Sequence, residues 1–354
     1  MKFTITFLGL IGLLFPKAIG QTSHKELADS ILKAFDLPAL GYAVISADSI
    51  LEMEVVGVKR LGFPDSVTLQ DHFRIGSNTK AFTALMAELI VSTGKINWDT
   101  KFFDLFPKWK IHSQPAYYSL TLQDLITFRN KLPMWTYSFP EPKPSLIKGN
   151  AAQQRINFGK WLFQQAEEDR GSPWNHSNLG YVAAGLMLEK ATGDEFERLA
   201  ADLGELLQIK IGFGQPNATD STAVWGHNAN LKPEAPAQNV RLNWLMAAGN
   251  IQISLPDHAA FLQFFLRGMK GKAILLNKSR FEHLLFGVPD FAFGWFWEIN
   301  ENGEPIAHNL GNPGSFLSRV LINPSRDRAY IVVTNCMTDL SYEGTELLMD
   351  RLQD

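Results

Sequence analysis

The sequence predicts an α+β fold, in which both ends of the chain contribute strands to one antiparallel sheet and the middle forms a mostly helical lobe. Strand-like runs rich in β-branched and aromatic residues lie near the start and near the end of the chain. Helix-like apolar periodicity fills most of the region between them. A cleft is therefore expected where the sheet meets the helical lobe.

The first two strands are predicted over residues 41–46 and 52–58. The sequence Ala47-Asp48-Ser49 separates them and is typical of a turn. The two strands are therefore expected to pair as a hairpin.

The middle of the chain has a mostly helical pattern, broken by loops rich in proline and glycine. One helix is predicted over residues 181–192, because its apolar residues run up to Gly193, a typical C-cap residue. The long loops at residues 133–148 and 212–237 are expected to carry function or to cover a site.

The last part of the chain returns to strands, which are predicted over residues 292–299, 316–322 and 329–333. The polar sequence at residues 323–327 predicts a turn between the last two strands. A closing helix is predicted over residues 342–352.

The chain has 354 residues, of which 45% are hydrophobic and 19% charged, and a formal net charge of -3. This composition is that of an ordinary globular protein with a large core. We predict a single domain over residues 21–354, with the sheet at about 21–75 and 290–354 and the helical lobe at about 76–289. The mild acidity gives no sign of binding to nucleic acid or to an anionic membrane.

Residues 1–20 have the pattern of a secretory signal peptide. Lys2 is the charged start, the apolar run at residues 3–15 is too short to span a membrane, and small residues end it at 18–20. Cleavage would leave Gln21 as the first residue of an exported protein, periplasmic or secreted. The alternative is a buried N-terminal strand or helix.

The single cysteine, Cys336, excludes an internal disulfide and a cysteine-rich metal cluster. None of the eight histidines stands in a zinc-binding spacing such as His-Glu-x-x-His, and the sequence has no phosphate-binding glycine loop. We therefore expect no metal and no cofactor.

The region around Ser77 carries the strongest chemical signal in the chain. Residues 73–85 read FRIGSNTKAFTAL, so Lys80 follows Ser77 by three positions on one predicted helix face. A serine hydroxyl needs an adjacent base to act as a nucleophile, and a lysine serves as that base when burial lowers its pKa. The pair therefore has the chemistry of a nucleophile with its base.

The serine-x-x-lysine spacing alone is weak, because it also occurs at Ser30/Lys33, Ser92/Lys95 and Ser145/Lys148. Only Ser77 follows a strand-like approach and a glycine and then opens a long helix with apolar periodicity. The alternative for Ser77 is an ordinary N-cap or first-turn serine.

Several segments, in order, resemble the serine β-lactamase-related hydrolases of the class C β-lactamase and D-alanyl-D-alanine carboxypeptidase or esterase type. Residues 73–85 are similar to the first motif of that family, and 225–227 and 247–250 are similar to later landmarks. The resemblance covers about residues 40–335. It implies a β-lactamase/transpeptidase-like fold and an acyl-enzyme on Ser77, with the neighbouring lysine as its base.

A further segment resembles the family with two departures. Residues 121–133 are similar to the segment that usually follows the first motif. Phe128 and Lys131 stand there at positions where the family prefers a histidine and a glycine.

The second family motif is tyrosine-x-asparagine, and here it reads His176-Ser177-Asn178. The family tyrosine carries protons to and from the nucleophile, and Tyr181 matches a different tyrosine of the family. An imidazole with a pKa of about 6.5 is a better base at neutral pH than a phenol with a pKa of about 10. His176 therefore either replaces the tyrosine or marks a site that has lost proton transfer. Asn178 is expected to hydrogen-bond Lys80 or the substrate, or else to cap the following helix.

The third family motif is Lys/His-x-Gly on a strand that edges the site, and here it reads His308-Asn309-Leu310-Gly311. Either Leu310 replaces the glycine and fills space meant for substrate, or one residue is inserted before Gly311. The resemblance implies that His308 and Asn309 contact substrate, His308 through a carboxylate. It also implies an oxyanion hole formed by the backbone N–H groups of Ser77 and Gly311. The alternative for His308 is an ordinary strand-end histidine.

These observations predict an exported serine hydrolase that acts through a Ser77 acyl-enzyme on an ester or amide, with Lys80 and His176 as its other catalytic residues. The rival is a catalytically impaired relative that binds a peptide or cell-wall fragment in the same cleft. The expected partner is a small-molecule or peptide substrate, without nucleic acid and without a membrane span after signal cleavage. The sequence leaves the oligomeric state open.

Overall fold

A computed structural model describes residues 23–235 and 240–354. The predicted signal peptide at residues 1–20 lies outside the described residues. Over the described ranges, no helix combines the length and the apolar character needed to cross a membrane.

The helices are α1 His24–Ala34, α2 Thr79–Ser92, α3 Phe102–Leu105, α4 Leu122–Ile126, α5 Ala151–Leu162, α6 Asn178–Thr192, α7 Phe196–Leu207, α8 Val240–Trp244, α9 Met246–Gly249, α10 Leu255–Met269, α11 Lys278–Phe286 and α12 Asp339–Arg351. The strands are β1 Ala39–Ile45, β2 Ile50–Gly57, β3 His72–Arg74, β4 Gly212–Phe213, β5 Ile251–Ser254, β6 Phe296–Ile299, β7 Pro305–Gly311, β8 Leu317–Asn323 and β9 Arg328–Thr334.

The main sheet is antiparallel and has the strand order β2-β1-β9-β8-β7-β6. β1 and β2 form the predicted hairpin, and β1 also pairs with β9, with Leu40 opposite Thr334. One sheet is therefore built from both chain ends, which confirms the predicted fold class. β1 is buried along its whole length, because strands flank it and helices cover it.

One predicted strand is half as long as expected. Of residues 292–299, only Phe296–Ile299 are extended, because Ala292 donates its N–H to the Trp295 carbonyl at 2.8 Å and closes a tight turn. Gly294 makes this turn possible, with φ at +91° and a backbone that lies against Ala81 of α2, where a Cβ would come within 2.6 Å of the Ala81 Cα. The end of the sheet is thereby fixed to the start of α2.

A second, small sheet has the order β3-β5-β4 and was not predicted from the sequence. β3 leads directly towards Ser77, and the pairing continues as the Ile75 N–H donates to the Ile251 carbonyl at 3.1 Å. This sheet therefore fixes the approach to α2.

The helical lobe is organised around α2, whose residues 79–88 are all buried. α6 and α9 pack against it. α6 ends as predicted at Gly193, whose φ of +85° gives the left-handed C-cap. Residues 79–88 of α2 are surrounded by other elements and have no face towards solvent, which explains why most of them are apolar.

Strand β7 lies between two apolar cores. Ala307 belongs to the main core under the helical lobe, whereas Ile306 belongs to a smaller core beneath α1 and α12 on the outer face of the sheet. Because side chains alternate along a strand, His308 and Leu310 share the outer face with Ile306, and Asn309 and Gly311 share the inner face with Ala307.

Arg155 of α5 joins three helices of the lobe. Its guanidinium donates to Glu189 of α6 at 2.7 Å and to Glu197 of α7 at 2.8 Å, and only 5% of its side chain is exposed. Glu189 is also largely buried, with 15% of its side chain exposed. Removing the arginine would leave a buried carboxylate without its cation.

We expect Arg155→Met to lower the free energy of unfolding by about 3–5 kcal/mol, the usual effect of breaking a buried ion pair. The control is Arg198→Met, which removes an exposed pair with Asp202 and is expected to change it by less than about 1 kcal/mol. Urea unfolding of both variants measures the difference. Equal effects would show that burial does not set the strength of the Arg155 network.

Candidate active site

Ser77 lies in a 3-10 turn, Gly76–Asn78, immediately before α2 begins at Thr79. The N-cap position of α2 is occupied by Asn78, so Ser77 is not the N-cap, and the Ser77 hydroxyl is free of any capping bond. Instead, its Oγ accepts a hydrogen bond from Lys80 Nζ at 2.9 Å. The predicted contact between the two side chains is therefore present in the structure.

The Lys80 amine is surrounded by three oxygen atoms. Nζ lies 2.9 Å from Ser77 Oγ, from Asn178 Oδ1 and from the Ala248 carbonyl oxygen. The last two oxygens can only accept hydrogen bonds, whereas the serine hydroxyl can also donate one. The ammonium form satisfies this arrangement by donating to all three oxygens, and the neutral amine satisfies it by donating to the two acceptors and turning its lone pair to the serine proton.

Burial changes the basicity of Lys80. The side chain is 1% exposed, and no carboxylate in the described part of the chain pairs with it. Desolvation therefore lowers the pKa of the ammonium to about 7. The charged form is stabilised by hydrogen bonds to neutral oxygens and by the Tyr181 ring, 5.4 Å from Nζ.

Asn178 is the first residue of α6, but it does not cap that helix. Ser177 is the N-cap, and its Oγ accepts from the Leu179 N–H at 3.2 Å. Asn178 is thus available for the site, where Oδ1 accepts from Lys80 and Nδ2 donates to the Trp135 carbonyl at 3.0 Å. Of the two alternatives raised by the sequence, the structure favours contact with Lys80.

His176 packs against the aromatic ring of Phe128. Its ring centroid is 4.8 Å from that of Phe128, and Arg170 donates to its backbone carbonyl at 3.0 Å. Burial, followed by the positive charges of Lys80 and Arg170, lowers the pKa of the imidazole to about 4. His176 is therefore neutral at pH 7 and a much weaker base than the sequence alone suggested.

Asn309 and Gly311, on the inner face of β7, lie beside the nucleophile. Asn309 Nδ2 donates to the Gly294 carbonyl at 2.6 Å and approaches the Ser77 carbonyl at 3.4 Å. A Cβ on Gly311 would lie 1.8 Å from the Ile75 carbonyl oxygen and 3.2 Å from Ser77 N. Only glycine fits here, and its backbone lies directly against that of Ser77.

His308 and Leu310 are not brought to Ser77. His308 stacks on Phe296 with ring centroids 5.9 Å apart, and its Nε2 is 4.0 Å from Glu298. Burial lowers the pKa of this histidine below its ordinary value. Both side chains instead line a cavity of about 230 Å³ on the outer face, together with Arg319.

The strand that carries the third motif is regular. β7 pairs with β8 without a shift of register from Ala307 to Gly311, so it contains no bulge before the glycine. The side chain of Leu310 lies on the outer face of the sheet, away from Ser77. It therefore does not fill the space beside the nucleophile.

Some groups at the site were missed by sequence reasoning. The Ala248 carbonyl contacts Lys80, and the side chains of Arg74 and Tyr137 line the same small cavity as Ser77, about 30 Å³ in volume. A carbonyl acceptor leaves no signature in the sequence, although Ala248 falls in the landmark at residues 247–250. Tyr137 lies in the loop at 133–148 that was expected to carry function.

Comparison with known proteins identifies the family. A model of the Beta-lactamase family matches residues 25–352, which is most of the sequence. The chain therefore belongs to the Beta-lactamase family, whose members are serine hydrolases of the acyl-enzyme type. This confirms the resemblance inferred from the motifs.

Individual relatives are distant. "Protein flp" of Staphylococcus aureus (strain COL) is 20% identical over 269 residues, which are 74% of this chain and 52% of that protein. The chain thus spans about half the length of the curated relatives it matches.

Solved structures share the fold. The octameric penicillin-binding protein homologue from Pyrococcus abyssi has a TM-score of 0.75 at 19% identity, with 94% of this chain and 77% of that chain covered. The class C beta lactamase from Rhodobacter sphaeroides has a TM-score of 0.72 at 16% identity, with 94% and 99% covered.

The lowered pKa of Lys80 predicts an unusual pH dependence of stability. The folded protein releases the Lys80 proton at a pH of about 7 and the unfolded chain at about 10.5. Between these values the unfolded state holds the extra proton, so stability rises with pH. Relative to Lys80→Met, we expect the free energy of unfolding of the wild type to rise by roughly 2 kcal/mol between about pH 7 and 9.

Chemical denaturation at a series of pH values tests this expectation. Lys25→Met, which removes a lysine with 55% of its side chain exposed, is the control and should follow the wild type. A constant difference between wild type and Lys80→Met across the window would mean that Lys80 titrates normally.

Proposed function

We propose that this protein is an exported serine hydrolase that acts through an acyl-enzyme on Ser77 and cleaves an ester or amide. The observation that carries the proposal is the buried Lys80 amine, which touches the Ser77 hydroxyl at 2.9 Å and has a pKa of about 7. In roughly half of the molecules at pH 7, such an amine is neutral and able to take the serine proton.

In acylation, Lys80 takes the Ser77 proton as Oγ bonds to the substrate carbonyl carbon. The carbonyl oxygen becomes negative, and the backbone N–H groups of Ser77 and Gly311 donate to it. When the bond from this carbon to the leaving oxygen or nitrogen breaks, the leaving group takes the proton from Lys80. The amine is then neutral again.

In deacylation, a water molecule adds to the acyl carbon and gives its proton to Lys80. The bond to Ser77 Oγ then breaks, and the serine takes that proton back. His176 is neutral throughout the physiological range because its pKa is about 4. We therefore assign proton transfer to Lys80, and to His176 a hydrogen bond to the leaving group or the water.

The proposed substrate is a small molecule or a peptide. An esterase or peptidase is favoured over a β-lactamase because the second and third motifs both depart from the family pattern. The pattern of residues 1–20 supports export to the periplasm or the outside of the cell.

One observation favours a second candidate, a relative that binds a peptide or cell-wall fragment and turns over slowly or not at all. An imidazole with a pKa of about 4 is a poor proton carrier at neutral pH. The water step depends most on such a carrier, so the acyl-enzyme would form and persist. The two candidates differ in deacylation and share the acylation of Ser77.

Incubation with a small activated ester is expected to add one acyl group to the wild type and none to Ser77→Ala, with continuing release of product. Intact-protein mass spectrometry followed over time measures both the adduct and the turnover. An adduct that never clears would support the binding candidate.

Ser92→Ala is the matched control, because Ser92 and Lys95 have the same spacing but Ser92 donates its hydroxyl to the Leu89 carbonyl at an exposed helix end. It should be acylated like the wild type. No adduct on the wild type, or an equal adduct on Ser77→Ala, would refute the acyl-enzyme.

The rate of acylation is expected to rise with pH and level off above about 7, because only neutral Lys80 accepts the serine proton. His176→Phe should keep this dependence, since an imidazole with a pKa of about 4 does not titrate there. Stopped-flow measurement of acylation from about pH 5 to 9 tests both statements. A profile that is flat in the wild type, or that loses its rise in His176→Phe, would move the base away from Lys80.

A further inference from the structure

Separate parts of the chain meet at the carbonyl oxygen of Pro313, in the turn that follows β7. Arg74, the last residue of β3, donates from Nη1 at 3.1 Å, and Tyr137 donates its hydroxyl at 2.8 Å. Gly314 makes room for the phenol, because its φ is +91° and a Cβ there would lie 1.9 Å from the Tyr137 oxygen. A carbonyl with two donors has both lone pairs occupied, so the position of the turn is fixed from two sides.

Arg74 is buried in a way that stability alone does not explain. It is 1% exposed, and within the described residues it has no ion pair and its Nε has no partner. Burial lowers the pKa of this guanidinium, although the Tyr137 phenol and the Glu234 carboxylate both act to raise it. Burying a cation without a direct ion pair is unfavourable, so a role in the site is the better explanation.

The held turn packs directly on the backbone of the nucleophile. Gly76 has a φ of +49°, and a Cβ on it would lie 2.8 Å from Asn312 N. A Cβ on Gly311 would lie 3.2 Å from Ser77 N. No side chain separates the two segments, so a shift of the turn moves the Gly311 backbone relative to Ser77 directly.

We infer that Arg74 and Tyr137 are positioning residues, which hold the Pro313 carbonyl and so keep the Gly311 N–H aimed at the reacting carbonyl beside Ser77. The inference rests on the proposed function, because it assigns these residues to the oxyanion hole of the Ser77 reaction. Donors in such a hole act on charge that develops only in the transition state, and small displacements weaken them. Loss of positioning should therefore slow acylation and leave ground-state binding unchanged.

The test is Tyr137→Phe, which removes only the hydroxyl. We expect acylation of Ser77 by an activated ester to slow by roughly tenfold. Affinity for a boronic acid, which forms a tetrahedral adduct on the serine, should fall by a similar factor. Affinity for the corresponding uncharged amide, measured in a Ser77→Ala background where no tetrahedral centre can form, should stay the same.

Tyr118→Phe is the matched control, because the Tyr118 hydroxyl also donates to a backbone carbonyl, that of Lys110, at 2.8 Å. It is expected to acylate and to bind the boronic acid like the wild type. Melting temperatures of both variants distinguish positioning from a loss of fold.

The outcomes separate the inference from the function it rests on. If the wild type forms neither adduct, the proposed function fails. If the wild type is acylated and Tyr137→Phe matches it, the positioning inference is overturned. It is overturned equally if Tyr137→Phe loses amide affinity and melting temperature together with acylation, since that pattern is purely structural.

Discussion

The burial of one lysine amine among neutral oxygen atoms is the constraint on which the rest of the site depends. Lys80 reaches Ser77 because it lies in the first turn of α2 and Ser77 in the 3-10 turn directly before that helix, and its other partners come from α6 and α9. Each of these helices is needed to exclude water from the amine and to supply its hydrogen-bond partners. The tight packing of α2, α6 and α9 thus has a chemical purpose as well as a structural one, because it sets the basicity of Lys80.

Around this amine, the site divides into parts made by side chains and parts made by backbone. Ser77, Lys80 and Asn178 contribute side chains, whereas Ala248 and Gly311 contribute only main-chain atoms or the space for them. The backbone parts depend on close approach of segments. The side-chain parts depend on exclusion of water. The departures from the family pattern at His176 and Leu310 affect neither part. Ser77, Lys80 and the backbone of Gly311 therefore keep their arrangement.

Much of this arrangement was predictable from the sequence, for identifiable reasons. The contact of Ser77 with Lys80 follows from helix periodicity, and the sheet from strand patterns at both chain ends. The strength of His176 as a base was not predictable, because burial and neighbouring cations set its pKa. The outward direction of His308 was also not predictable, because the face that a strand residue presents depends on its register within the sheet. The turn before β6 was not predictable for a similar reason. Residues 292–299 have the composition of a strand, but the turn at Gly294 shortens the strand to Phe296–Ile299.

The second hydrogen bond of Asn178 has a consequence for the proton on Lys80. Because Nδ2 donates to the Trp135 carbonyl, the amide is oriented with Oδ1 towards the amine. Asparagine and aspartate have almost the same shape, yet a carboxylate in this place would hold the ammonium form as an ion pair. The charge of Lys80 in the free enzyme therefore depends on the neutrality of Asn178. An aspartate at this position would keep Lys80 protonated in a salt bridge, whereas the asparagine amide allows it to be neutral and to act as a base.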